Sequence, residues 1–168
     1  GPGGRVSCVG EGGGGGAEGG VRGGRAMLAG RRVGGTPGLH GQGVRRRFIG
    51  RRDGVEEALL EQMDWAEDLT DANDRITLFV AFNYGGRAEI LDAAMRFDGG
   101  KEEDFRALLY APEMHDPDLI IRTSVENQPS HYLHWQSAYA ECVFRDETLP
   151  DFHVWRFLHA PAQFPDLP

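Results

Sequence analysis

Asp118-Leu-Ile-Ile-Arg-Thr-Ser-Val-Glu-Asn-Gln-Pro-Ser-His-Tyr-Leu-His-Trp-Gln-Ser-Ala-Tyr-Ala-Glu141 is the stretch on which the fold turns. Leu119, Ile120 and Ile121 form an apolar run that ends on Arg122, Thr123 and Ser124, which predicts a buried strand. A short polar loop follows, carrying Glu126, Gln128 and Ser130. Ser130 stands where a helix N-cap belongs, ahead of an aromatic-rich segment that predicts a helix. In an open α/β sheet, ligands bind just past the carboxyl ends of strands, beside helix N-termini. Arg122, Ser130 and that helix start therefore mark an anion site, most naturally for a phosphate. A guanidinium fork matches phosphate oxygens two at a time.

Upstream, two strand–helix units are legible. Val44 to Ile49 predicts a strand with a basic face, stopped by Gly50, with the turn at Asp53-Gly54. Val55, Leu59, Met63, Ala66 and Leu69 recur at helical spacing through an acidic amphipathic helix, read as a surface helix packed on a sheet. Ile76 to Phe82 is an apolar run suited to a central strand. Asn83-Tyr-Gly-Gly-Arg87 follows, where Gly85 and Gly86 suit a tight strand-to-helix turn. Alone, that turn is a weak phosphate-loop signal, balanced by a purely structural reading. Asp98-Gly-Gly breaks the next helix, Glu102 to Tyr110 predicts a short one, and Asp116-Pro-Asp118 reads as a turn rather than a metal pair. His131 and His134 lie one helical turn apart, but no third ligand accompanies them.

The 168 residues suggest one domain, and a formal net charge of -8 argues against nucleic-acid binding. Cys8 and Cys142 lie far apart, so no disulfide framework is implied, which fits a reducing compartment. No apolar run is long enough to span a membrane, so the chain is expected in the cytoplasm. Most of the glycines fall in residues 1–43, including Gly12 to Gly16 unbroken. That segment has almost no large apolar residue, and by composition it cannot offset the entropy of ordering. It is expected to be a disordered or non-native leader, with residues 44–168 as the folded part. An RNA-binding role for its Gly-Arg groups is disfavoured because stacking aromatics are missing.

Two blocks resemble the cis-prenyltransferases, the isoprenyl transferases of the undecaprenyl diphosphate synthase type. Asp118, Ile121, Arg122, Thr123, Ser124, Glu126, Ser130, Trp135, Gln136, Ala138, Tyr139 and Glu141 match one family pattern, and Asn83-Tyr-Gly-Gly-Arg87 matches a second. The resemblance runs from about Val44 to about Phe157. It implies an α/β fold with a mostly parallel sheet flanked by helices, present as roughly the C-terminal half. It implies condensation of isopentenyl diphosphate with an allylic diphosphate, in cis geometry. In that frame Arg122 and Ser130 contact the diphosphate, Glu126 orients the loop, Glu141 helps hold Mg²⁺, and Asn83 and Arg87 shape the site. The resemblance also implies a homodimer, and at most peripheral membrane contact through a lipid product.

The departures carry their own expectations. Gln128 stands where the family has an Arg that grips diphosphate, and Val125 stands where it has Gly. The family strand that matches Val44 to Ile49 ends in Ile-Gly-Asp. The family's first strand and its Asp-Gly-Asn-Gly-Arg-Trp loop, which carries the catalytic Asp, have no counterpart in residues 1–43. The chain alone is therefore expected to be a truncated and poorly active transferase with no catalytic Asp, its apolar sheet edge left open. The alternative is a non-catalytic partner subunit, or a decayed homologue, of such an enzyme.

Overall fold

A computed structural model of the chain describes residues 6–10, 32–123 and 132–145. The chain divides into two units, residues 1–113 and 114–168.

The first unit runs β1 (Val6–Gly10), α1 (Arg32–Gly41), β2 (Val44–Ile49), α2 (Glu57–Thr70), β3 (Ile76–Ala81), α3 (Gly86–Ala94) and the short α4 (Glu102–Arg106). Its three strands are parallel in the order β1-β3-β2. The apolar run of β3 takes the central place, as its composition predicts, with Phe79 and Val80 buried. Helix α2 packs as its periodicity demands. Leu59, Met63 and Ala66 are buried, with Phe48, Val55, Leu60 and Phe82 against them. Each large apolar side chain so buried contributes roughly 1.5–3 kcal/mol.

The outward edge of β2 is capped by side chains rather than by another strand. The Arg46 amide donates to Thr70 Oγ1 at 3.0 Å and the Phe48 amide to Glu67 Oε1 at 2.6 Å. Asn73 Nδ2 donates to the Val44 carbonyl at 2.8 Å. Strand groups that would otherwise invite another chain are thereby satisfied.

Within residues 1–43 the described stretches 6–10 and 32–43 hold a strand and a helix. Strand β1 pairs with β3 from Val6↔Thr77 to Gly10↔Ala81, so β3 is bonded on both sides and its edge is not open. Backbone pairing of five residues needs little apolar surface, which an average over a Gly-rich segment hides. Helix α1 holds Gly34, Gly35, Pro37 and Gly38, all poor helix formers. Tertiary contact supports it: Thr36 is buried and accepts from Arg46 Nη1 at 2.8 Å.

In the second unit β4 (Leu119–Thr123) and β5 (Glu141–Arg145) pair in parallel, from Leu119↔Glu141 to Thr123↔Arg145. Met114, Leu133, Gln136 and Val143 are buried. Leu119, Ile120 and Ile121 are half-buried, not buried as the apolar run predicts. The helix predicted after Ser130 is absent among the described residues. Residues 132–140 form turns, closed by Ser137 N–H to Leu133 O at 2.8 Å and Ala140 N–H to Ser137 O at 3.1 Å. Leu133 holds φ 51, a left-handed conformation that a right-handed helix cannot include. The first unit has the predicted class, α/β with a parallel sheet flanked by helices, and the strands of the second also pair in parallel.

Candidate functional site

In the first unit the carboxyl ends of all three strands meet in register, at Gly10, Ile49 and Ala81. This is the side of a parallel sheet on which ligands bind. The loop after β2 and the turn after β3 are stitched together there. The Phe82 amide donates to Ile49 O at 2.9 Å, and the Arg51 amide to Asn83 O at 3.2 Å. Asn83 Nδ2 donates to Arg51 O at 2.9 Å and to Asp53 O at 3.2 Å. Gly50 holds φ +134, and a Cβ there would lie 2.0 Å from the Phe82 carbonyl oxygen.

The tight turn that the sequence assigns to Gly85 and Gly86 is made differently. Asn83 is the left-handed residue, with φ 49. Gly85 is extended, with φ −150, and a Cβ there would meet only Ala88 Cβ at 3.8 Å. Asn tolerates the left-handed region because its short amide bonds locally. Arg87 follows in the first turn of α3, exposed, and no carboxylate among the described residues pairs with it.

Behind the turn lies a group of residues that the sequence reading did not single out. Arg51 grips Asp92 with two bonds, Nε to Oδ2 at 2.8 Å and Nη2 to Oδ1 at 2.6 Å. Tyr110 Oη donates to Asp92 Oδ2 at 2.5 Å. The Tyr110 amide donates to Glu89 Oε1 at 3.0 Å, and Tyr84 Oη to Glu89 Oε2 at 2.5 Å. The two tyrosine rings meet edge to face at 6.0 Å. The Arg51 bonds hold the Asp92 carboxyl down at about 2. Burial, then the bond to Asp92, push the Tyr110 phenol up to about 12. No local pattern in the sequence pairs these residues, which lie far apart along the chain.

In the second unit Arg122 lies in β4 opposite Phe144, one residue from the strand's carboxyl end. Glu141 opens β5 opposite Leu119, exposed, its amide bonded to Asp118 O at 2.9 Å. The two positions are three residues apart in register, about 10 Å along the strands at ~3.3 Å per residue. Glu126, Gln128 and Ser130 lie outside the described residues, as does His131. Among the described residues no three His, Cys, Asp or Glu side chains converge on a metal position. An exposed carboxylate such as that of Glu141 suits Mg²⁺, which binds through one or two carboxylates, waters and substrate phosphates rather than in a protein cage.

The sequence pattern of the undecaprenyl diphosphate synthase (prenyltransferase) family matches residues 27–166. An isoprenyl transferase of Thermotoga maritima is 47% identical over 131 residues, covering 73% of this chain and 56% of that protein. Two solved structures share the fold. The undecaprenyl diphosphate synthase of Campylobacter jejuni superposes with a TM-score of 0.72 at 28% identity, over 78% of this chain and 64% of that one. The lavandulyl diphosphate synthase of Lavandula x intermedia, solved with dimethylallyl diphosphate, superposes at 0.74 with 27% identity, over 85% of this chain and 65% of that one. The chain spans about half the length of the curated relatives it matches. It belongs to the undecaprenyl diphosphate synthase, or isoprenyl transferase, family.

Proposed function

We propose that the chain carries the diphosphate-handling part of a cis-prenyltransferase, which joins isopentenyl diphosphate to an allylic diphosphate and lengthens a cis-polyprenyl diphosphate. The observation that carries this reading is the Asn83–Arg87 turn, set at the carboxyl ends of the parallel strands with Arg87 unclaimed by any described carboxylate. The diphosphate bound in the lavandulyl diphosphate synthase neighbour supports the same substrate class.

Arg122 and Ser130 hold the diphosphate of isopentenyl diphosphate, Glu126 orients their loop, and Gln128 offers it a neutral contact. Asn83 and Arg87 are the site-shaping residues of the Asn83–Arg87 block. Glu141 helps hold Mg²⁺, which when bound neutralises charge developing on the departing diphosphate. The guanidiniums do the same work as fixed donors aimed at that charge. Residues 44–168 carry the family's diphosphate-binding blocks. The protein works in the cytoplasm as a homodimer and touches membrane only through its lipid product. Among the described residues no helix is long and apolar enough to cross a membrane.

A partner-subunit role is the second reading, favoured by Gln128 and Val125 at positions where the family has Arg and Gly. One experiment separates them. The purified chain is given radiolabelled isopentenyl diphosphate, farnesyl diphosphate and Mg²⁺, with and without a co-expressed homologue, and organic-soluble product is counted. Turnover by the chain alone supports the first reading. Turnover that needs the homologue, and exceeds the homologue's own, supports the second. No turnover in either arm, with no pyrophosphate binding by calorimetry, overturns both.

A further inference from the structure

Arg51 lies in the loop after β2, where both its backbone and its guanidinium are bonded. Its backbone and its side chain reach opposite ends of the same turn. The Arg51 amide and carbonyl are bonded to Asn83, at the entrance. The Arg51 guanidinium forks onto Asp92 of α3, the helix that the turn leads into. Asp92 and Glu89 sit three residues apart on that helix and so share a face. Both are bonded to Tyr110, one through its hydroxyl and one through its amide. Glu89, almost wholly buried, also takes the hydroxyl of Tyr84, which is inside the turn. Arg96, one turn further along, adds a bond from its guanidinium to the Leu108 carbonyl.

These contacts close a ring: Asn83, Arg51, Asp92, Tyr110, Glu89, Tyr84, and back along the chain to Asn83. A closed ring of this kind leaves the turn no single hinge. Loosening it requires breaking a two-point guanidinium–carboxylate bond, which is stronger and more directional than a neutral hydrogen bond.

We propose that Arg51 is a positioning residue for the Asn83–Arg87 turn, holding the Arg87 backbone in place by tying Asn83 to Asp92 within this ring. The inference rests on the reading of that turn as part of a diphosphate site, and it deepens that reading by naming what aims the turn. Arg51 need not touch the ligand. Its guanidinium is occupied by Asp92, and its contribution passes through the placement of residues 83–87.

The test is a charge swap in the full chain, Arg51→Asp, Asp92→Arg and the double variant. Amide hydrogen exchange is read in peptides covering residues 83–95, with the α2 peptide 57–70 as an internal control. Each single variant should speed exchange in 83–95 by about tenfold, the scale of one charged hydrogen-bond contact, and leave α2 unchanged. The double variant should bring 83–95 back toward the native rate. Arg51→Gln, which removes the charge without reversing it, should move 83–95 in the same direction and covers the case in which Arg51→Asp fails to fold. Unchanged exchange in 83–95 for Arg51→Gln, or no recovery in a folded double variant, overturns the proposal.

Calorimetry with inorganic pyrophosphate and Mg²⁺ supplies the second readout. The dissociation constant should rise about tenfold in the single variants and recover in the double. Exchange changes in a protein whose native form binds no pyrophosphate would leave the ring in place and remove the diphosphate reading instead. A purely structural role would show no such selectivity: it would lower protection in α2 together with 83–95.

Discussion

Gly50 lies directly against the carbonyl of Phe82, so that a Cβ at Gly50 would stand 2.0 Å from that oxygen. The glycine also holds φ +134, which side-chain-bearing residues rarely adopt. Space and backbone conformation both demand glycine, and the demand comes from two strand ends that must touch. Gly50→Ala should therefore destabilise the protein by about 3 kcal/mol. Urea denaturation checks this; a loss below about 1 kcal/mol would mean that the two strand ends part easily.

Asn83 does two jobs that substitutions can separate. Its amide holds Arg51 O and Asp53 O, and its backbone sits at φ 49. Asn83→Gly keeps the conformation and loses the bonds, at a cost of about 1–2 kcal/mol. Asn83→Ala loses both and should cost about 1 kcal/mol more. Equal stability of the two variants in thermal unfolding would show that the left-handed backbone is not the harder requirement.

Glu67 makes a pH prediction. Burial raises its pKa, and this outweighs the Phe48 amide bond and the nearby Arg47 and Arg52 charges that lower it. A raised folded-state value means that the native state holds the proton more tightly than the unfolded chain does. The stability contributed by this group is thus present below the unfolded value, about 4.3, and is lost as pH rises through the folded value. Glu67→Gln keeps an oxygen for the Phe48 amide and removes the titration. The variant should match or exceed the native protein at pH 7, within about 1 kcal/mol, with no such gain at pH 4. Melting temperatures across pH 3.5–7.5 (about four units) decide it; a native protein clearly more stable at pH 7 would sink the argument.

Gln128 offers a gain of function. A neutral amide stands there instead of a guanidinium, and a charged phosphate contact contributes about 1.5–3 kcal/mol. Gln128→Arg should tighten pyrophosphate binding by roughly 10- to 100-fold, at about 1.4 kcal/mol per tenfold. Unchanged affinity by calorimetry would place residue 128 away from the diphosphate.

Asp92 sets the acid limit of the ring. Arg51 holds its carboxyl near 2, below the usual carboxylate range. A depressed value contributes stability that is present above the unfolded value, about 3.9, and is lost as pH falls through about 2. Native protein should lose stability between those values, and Asp92→Asn should flatten that part of the profile. Identical acid profiles for the two proteins, followed by circular dichroism, would show that the pair contributes nothing to folding.

Much of this molecule was decided locally. The basic-faced stretch Val44–Ile49 and the apolar run starting at Ile76 became β2 and β3, and the spacing of Leu59, Met63 and Ala66 became the buried face of α2. Such patterns are legible because strand and helix periods are local and the buried face follows from them. The family to which the chain belongs was likewise legible, since a family pattern is a property of neighbours in sequence. Tertiary structure decided the rest. Val6–Gly10 became a strand because β3 offered it a backbone edge, which composition cannot report. Leu133 took a left-handed conformation where local pattern predicted a helix. Arg51 and Asp92 are 41 residues apart in sequence, and no local signal pairs them. They meet because the β2 and β3 ends are fused at Gly50 and Phe82, and only that fusion brings the loop's guanidinium to the helix that follows the turn.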